Sequence, residues 1–149
     1  SGALAGPPTL SERGGGAKTY SYSLQASAPC SHLALAVGPF AALPDPRSDN
    51  VTHFAPPELL DQLKTVAQNY NVAFGIYEDY LQSNFPYPSL QQVFVDPESA
   101  VCSVNAGASC NVISAHLLPD PEVLEGGIEC RVRAARALAQ QWFGSFLIA

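Results

Sequence analysis

The spacing of the apolar residues changes at Pro56-Pro57. From there to residue 81 they recur at steps of three and four, as on one face of an amphipathic helix. Proline is tolerated in the first turn of a helix but not in its interior, so Pro86 and Pro88 must lie beyond its end. We therefore predict one helix of about 25 residues. Its apolar stripe consists of Leu59, Leu60, Leu63, Val66, Ala67, Tyr70, Ala73, Phe74, Tyr77 and Leu81.

Before Pro56 the spacing is that of strands. Tyr20, Tyr22 and Leu24 alternate with polar residues, which predicts a half-buried strand. The apolar run over residues 33–38 ends at a Gly-Pro pair and predicts a second strand.

Turn-forming residues divide the chain into three predicted parts. Residues 1–18 are small and rich in glycine, which is typical of a flexible linker. Residues 43–50 are almost all turn formers, so we place a domain boundary after residue 50. Residues 19–50 then form the end of one domain and residues 51–149 the beginning of another.

After the long predicted helix, strand and helix signals follow one another. They are a strand over 92–96, a loop from 101 into a strand near 111–113, a helical region starting at 119–122 that Gly126-Gly127 interrupts, and a final helix from about 128 past 143. This order of elements predicts an α+β protein.

Composition excludes several classes of protein. Seven basic against thirteen acidic residues give a net charge of −6, so no basic surface for nucleic acid is expected from bulk composition. No apolar run approaches the ~18 residues of a membrane span, so no membrane partner is expected. Cys30, Cys102, Cys110 and Cys130 include no C-x-x-C pair, which predicts reduced and mostly buried thiols rather than a zinc ribbon.

Spacing also excludes two kinds of catalytic site. The segment Gly14-Gly15-Gly16-Ala17-Lys18-Thr19 lacks the glycine that a P-loop places directly before its lysine, and a strand pattern follows it. His32, His53 and His116 are the available general bases, but no G-x-S-x-G nucleophile elbow accompanies them. We expect each histidine to be an ordinary surface or packing residue.

The last helix carries the most specific motif of the chain. Its sequence from Arg136 to Gly144 resembles that of gluzincin-type zinc aminopeptidases, in which H-E-x-x-H is followed by Q-W-F-G. The second half is kept in full, as Gln141, Trp142, Phe143 and Gly144. Upstream, five residues lie where the family has G-A-M-E-N, namely Gly107, Ala108, Ser109, Cys110 and Asn111. The resemblance covers about residues 19–149. It implies the last strands of an N-terminal β-domain followed by the start of a thermolysin-like α/β domain.

The same resemblance implies that the chemistry has been lost. The two zinc-binding histidines and the general base of the family correspond to Arg136, Gln140 and Ala137. Arginine has no lone pair to donate, a neutral amide is a poor zinc ligand, and alanine cannot transfer a proton. Cys110 stands in place of the glutamate that grips the peptide amino terminus, whereas Asn111 is kept. We therefore expect no metal, no cofactor and no peptidase activity.

Three segments narrow the resemblance further. Residues 35–40, 51–54 and 137–144 are similar to the TBP-associated factor 2 family, the aminopeptidase-like subunits of the general transcription factor TFIID. This implies a nuclear, non-catalytic scaffold that associates with other TFIID subunits, notably TBP-associated factor 8, and engages core promoters near the initiator. An alternative from another class is an inactive aminopeptidase-like module that binds peptides. The absence of Met and the apolar last residues lead us to expect a fragment of a larger protein.

Three of the seven basic residues, Arg131, Arg133 and Arg136, lie on the last predicted helix. Glu129 and Arg133 stand at i and i+4 in the favourable order, which stabilises a helix by about 0.3 kcal/mol. We expect the arginines to support the helix. Phosphate contacts dominate DNA affinity, so we expect promoter DNA to be contacted by the full subunit rather than by this acidic segment.

Overall fold

Five strands of the chain join in one mixed sheet, and three helices cover one of its faces. The computed structural model describes residues 1–10, 17–68, 70–119 and 124–147. In this part the strands are β1 Ala3–Leu4, β2 Thr9–Leu10, β3 Lys18–Thr19, β4 Tyr22–Ser23, β5 Ala41–Pro44, β6 Val51–Ala55, β7 Leu90–Val95, β8 Val104–Gly107 and β9 Cys110–Ser114. The helices are α1 Leu60–Ala67, α2 Tyr70–Leu81 and α3 Leu124–Trp142. This mixed α/β structure is compatible with the predicted α+β class.

The large sheet has the strand order β5-β6-β7-β9-β8. Its central pairs are parallel, whereas β5 and β8 pair antiparallel with their neighbours at the two edges. A parallel pair needs a long crossover, which α1 and α2 supply between β6 and β7. The strand β7 is covered on both faces, because it lies at the centre of the sheet.

The covered face of the sheet forms the main core, in two clusters. The helices place their apolar stripes on alternate residues of β6, β7 and β9. One cluster contains Ala55, Leu63, Val66, Phe94, Ile113, Ala115, Leu117, Leu118 and Cys130, and the other contains Val51, Tyr70, Phe74, Leu90, Ala134, Leu138 and Trp142.

The opposite face of the sheet has a smaller core. Val93, Val95 and Cys110 lie there, and Ala34 and the partly buried Phe40 pack on them. This face therefore depends on the amino-terminal third of the chain for its cover.

The predicted half-buried strand at Tyr20 and Tyr22 is wrong. The segment forms only β3 and β4, which pair with the equally short β2 and β1. The two tyrosines are 54% and 56% exposed, because two-residue ladders offer no broad apolar face that could cover them.

The second predicted strand, over residues 33–38, is also absent. Ala34 exchanges its two backbone hydrogen bonds with Ser1, whose ammonium donates to the Ala34 carbonyl at 2.7 Å and whose hydroxyl accepts from the Ala34 N–H at 2.9 Å. Leu35 and Val37 are 80% and 87% exposed. The apolar run therefore forms no ladder here, and only its small residues Ala34 and Ala36 face the sheet.

The prediction of helical structure after Pro56 was correct, but the predicted helix boundaries were wrong. The predicted helix over 57–81 is described as a 3₁₀ turn Pro57–Leu59 followed by α1 and α2, with Gln68 in a turn between them. Residue 69, between the two helices, lies outside the described part of the chain.

The predicted interruption at Gly126-Gly127 is wrong, because α3 runs through both glycines and ends at Trp142. Each glycine costs about 1 kcal/mol relative to alanine in a helix. Burial of Cys130, Ala134 and Leu138 on the same helix outweighs that cost.

Of the five strands in the large sheet, two were predicted correctly and three were missed. The strand over 92–96 and the strand near 111–113 correspond to β7 and β9. The sequence reasoning did not identify β5, β6 and β8, because each is short and contains or adjoins turn-forming residues. The hairpin of β5 and β6 spans the predicted domain boundary after residue 50, and that boundary remains a prediction.

Two other predictions fall outside the described part of the chain. The glycines of the rejected phosphate loop lie in residues 11–16, and most of the predicted helical start at 119–122 lies in residues 120–123. Among the described residues, none of the helices combines the length and apolar character needed to cross a membrane.

Candidate functional site

Helix α3 divides the motif residues between a buried and an exposed side. Ala137 and Gln141 are fully buried, whereas Arg136 and Gln140 point away from the core. Residues four apart lie on one face of a helix, so each pair shares its surroundings. The structure therefore separates the two positions that match the zinc-binding histidines from the core-facing residues of the same motif.

The hairpin of β8 and β9 carries the five residues that resemble G-A-M-E-N. Gly107 lies so close to its neighbours that a Cβ there would stand 2.7 Å from the Ala34 Cβ and 2.9 Å from the His32 carbonyl oxygen. Ser109, in the turn, has a φ of 58°, in the left-handed region. The Ala108 N–H donates to the His32 carbonyl at 2.6 Å. The turn is thus held against the segment that precedes β5.

The buried side chain of Gln141 joins α3 to this hairpin. Its Nε2 donates to the Gly107 carbonyl at 3.0 Å and to Asn111 Oδ1 at 2.8 Å. Its Oε1 accepts from the Ser109 N–H at 2.9 Å. Both donors and the acceptor of the amide are used, as burial of a polar side chain requires. The two halves of the motif are therefore in direct contact.

Trp142 anchors the end of α3 and is 1% exposed. Its ring lies 5.3 Å from that of Phe85 and 6.1 Å from that of Phe74, both in edge-to-face geometry, and Nε1 donates to the Asn84 carbonyl at 3.3 Å. From the sequence, Trp142 and Phe143 are both predicted to pack the helix against the sheet. This is confirmed for Trp142 but wrong for Phe143, which is 52% exposed beyond the last turn of the helix.

A cavity of about 300 Å³ lies beside the exposed positions of α3. Arg133, Arg136 and Gln140 line it from the helix, and Ser103 lines it from the segment before β8. The buried Ala137 also borders it. This is the place that the resemblance assigns to zinc.

The donor set of this cavity does not fit a zinc ion. Arg136 brings a permanent cation with no lone pair, and Gln140 offers one neutral amide oxygen. Nowhere in the described ranges do three or more His, Cys, Asp or Glu residues form a group that could hold a metal.

The three arginines of α3 differ in their partners. Arg133 donates from Nε and Nη2 to the same Glu129 oxygen, at 2.9 and 2.7 Å, as the helix-support expectation requires. Arg131 donates to the Thr65 carbonyl at 3.2 Å and so ties α3 to α1. Within the described ranges, Arg136 has no ion pair.

The prediction for the cysteines holds only in part. All four are free thiols, but Cys30 and Cys102 are exposed, whereas Cys110 and Cys130 are buried. Burial raises the pKa of Cys130 to about 11, so this thiol stays protonated at neutral pH.

The chain is similar in sequence to known proteins. No protein-family model matches the chain. Transcription initiation factor TFIID subunit 2 of Gallus gallus and of Danio rerio are each 38% identical to it over 130 residues, and the Drosophila melanogaster protein is 35% identical over 130 residues. The chain is homologous to TFIID subunit 2. The match covers 87% of this chain but 11% of the two vertebrate proteins and 10% of the Drosophila protein.

The homology to TFIID subunit 2 confirms the resemblance to the TBP-associated factor 2 family. The chain spans about a tenth of the length of these relatives. The roles assigned to the individual motif residues stay predictions.

Sequence reasoning missed the linking role of Gln141, although a signal for it exists. Ala134 and Leu138 are four residues apart, as are Ala137 and Gln141, which puts the amide on the buried stripe of α3. A buried amide must find partners, so this polar residue could have been singled out.

A buried polar group around His53 was also missed. Its Nδ1 lies 2.8 Å from Gln92 Oε1 and its Nε2 lies 3.3 Å from Asp45 Oδ2, and the ring stands edge-on to that of Tyr70. Burial, which disfavours the charged ring, outweighs the favourable effect of Asp45 and lowers the pKa of His53 from its ordinary value of 6.5. The prediction that His53 is a packing residue is confirmed.

The lowered pKa of His53 predicts that the fold weakens as pH falls. Above pH 6.5 the ring is neutral in both the folded and the unfolded chain. Below it the unfolded chain binds the proton first, so the free energy of unfolding decreases until the folded pKa is reached. Urea unfolding at pH 7 and pH 5 measures this. In a His53→Gln variant, the free energy of unfolding should decrease less between pH 7 and pH 5 than in the parent chain. A variant with the exposed His116 substituted should show the same decrease as the parent chain. Equal decreases in the parent chain and both variants would contradict the prediction.

Proposed function

We propose that this chain is part of a non-catalytic subunit of TFIID, located in the nucleus. The subunit serves as a scaffold in assembly of the RNA polymerase II preinitiation complex and contributes to recognition of the core promoter at the initiator. The homology to TFIID subunit 2 over 87% of the chain carries the proposal.

The absence of catalysis is proposed from the residues beside α3. The segment forms the start of a degenerate thermolysin-like peptidase fold, and its cavity presents Arg136 and Gln140 where a peptidase would hold zinc. Ala137, at the position of the general base, is fully buried and cannot accept a proton.

Peptide-end binding is the less favoured role. Asn111 is fully buried, and its Oδ1 already accepts from Gln141. Because Asn111 is 0% exposed, it cannot contact the end of a peptide, and Cys110 offers no carboxylate for an amino terminus. We therefore place the function in assembly.

Co-purification tests the TFIID assignment directly. The full-length protein is expressed in cells with an epitope tag and captured from a nuclear extract with an antibody against the tag. Its partners are then identified by mass spectrometry. We expect TBP and the TBP-associated factors, TBP-associated factor 8 among them, in near-equal amounts. Capture of the protein without any of them would refute the role in TFIID.

DNA contact by this segment is tested separately. Because Arg131 and Arg133 already bind Thr65 and Glu129 within the chain, their replacement by alanine should leave promoter affinity within about twofold. Gel shifts at fixed salt with the full-length protein measure this. A large loss of affinity with a reduced salt dependence would show that these arginines contact phosphates.

A further inference from the structure

The cavity beside α3 is unusual for an acidic chain, because the described residues that line it include two arginines and no carboxylate. Arg133 is neutralised by Glu129, which it contacts at 2.7 Å. Arg136 has no such partner in the described ranges. Counting only the residues that the structure describes, the cavity therefore carries about one unit of uncompensated positive charge, on a side chain that has five N–H donors and no acceptor.

The neighbours of Arg136 add neutral donors to this charge. Gln140, one turn further along α3, brings a side-chain amide, and Ser103 brings a hydroxyl from across the cavity. Ala137 contributes a buried apolar surface between the two helix positions. A planar guanidinium with an amide and a hydroxyl nearby is suited to a planar, singly charged acceptor.

We propose that this cavity binds the carboxylate of an aspartate or glutamate side chain of a protein partner, with Arg136 as the anchor. The single positive charge of Arg136 favours a ligand with one negative charge, such as a carboxylate. A phosphate dianion requires more than one free cation, and the charge of Arg133 is already paired with Glu129. The volume of about 300 Å³ is at the lower end for ligand pockets and is suited to one side chain. The proposal rests on the cavity alone and is independent of the TFIID role.

Nuclear magnetic resonance of the full 149-residue chain tests the proposal. The arginine Nε–Hε signals are followed while a blocked peptide, acetyl-Gly-Gly-Glu-Gly-Gly-amide, is added. We expect a saturable shift of the Arg136 signal with a dissociation constant on the order of 10 millimolar, as one charge-assisted contact provides. The matched peptide with glutamine in place of glutamate should produce no saturable shift.

Three variants separate the anchor from general electrostatics. Arg136→Gln should weaken binding of the glutamate peptide by about tenfold or more. Arg136→Lys keeps the charge but lacks the planar fork, so it should restore only part of the affinity. Arg131→Gln removes the same charge from a side chain that does not line the cavity, and should retain the affinity. Arg136 is exposed, so thermal unfolding of its variants should match that of the parent chain.

Four results would overturn the proposal. They are equal shifts with the glutamate and glutamine peptides, equal losses in Arg131→Gln and Arg136→Gln, full affinity in Arg136→Lys, and tighter binding of inorganic phosphate than of the glutamate peptide. The last result would reassign the cavity to phosphate.

Discussion

Replacing Trp142 with alanine should lower the free energy of unfolding by about 3–5 kcal/mol. The side chain is 1% exposed and fills the space between Phe74, Tyr77 and Phe85, so its removal leaves a cavity lined by aromatic rings that cannot collapse into it. It also leaves the Asn84 carbonyl without its donor. Because Trp142 is the one tryptophan of the chain, unfolding in urea is followed by circular dichroism rather than by fluorescence.

The neighbouring aromatic residue provides the control. Phe143 is half exposed, so Phe143→Ala should change the free energy of unfolding by less than about 1 kcal/mol. Similar stabilities for the two variants would mean that the end of α3 is not held by Trp142.

The second large effect is expected for Gln141→Ala, which should destabilise the fold by about 3 kcal/mol. The substitution leaves the Ser109 N–H, the Gly107 carbonyl and Asn111 Oδ1 without their partner in the interior. A buried donor or acceptor without a partner costs about 1–3 kcal/mol, more than the hydrogen bond itself contributes. Urea unfolding measures the loss. Relative to the parent chain, the rate of hydrogen exchange should increase most at the Ser109 amide.

Gln140 is the matched control for this effect, because it has the same side chain one residue away and is exposed. Gln140→Ala should therefore be nearly neutral. Alanine has a higher helix propensity than glutamine, so propensity alone would slightly stabilise both variants. If both alanine variants lost the same stability, the contact between α3 and the hairpin would not explain the loss.

The sequence predicted the parts of the fold whose signal is local. The three- and four-residue spacing from Leu59 to Leu81 is produced by one buried helix face, and α1 and α2 lie there. The strand β7 was found because a central strand reads as an apolar run bounded by turn formers. The resemblance to TFIID subunit 2 rested in part on the motif Gln141-Trp142-Phe143-Gly144. Relatives with that name, 35–38% identical to the chain, confirm it.

The amino-terminal part could not be predicted in this way. The alternation around Tyr22 is a genuine strand pattern, but burial requires a partner surface, and β4 pairs only with the two residues of β1. The apolar run that contains Leu35 and Val37 failed for the same reason, since nothing in the described part of the chain packs over either side chain. The periodicity of apolar residues identifies a face that is suited to burial, but it does not show whether another part of the chain packs against that face.

The sequence by itself determined the helical or strand character of several elements and the resemblance to TFIID subunit 2, because these follow from residue types and their spacing along the chain. Only the tertiary structure decided that Gln141 binds the Gly107–Asn111 turn, that His53 is enclosed with Asp45 and Gln92, and that Arg136 is left without an ion pair among the described residues. The physical reason is that burial and pairing depend on neighbours that the fold brings together, such as Ser109 and Gln141, 32 residues apart, and His53 and Gln92, 39 residues apart.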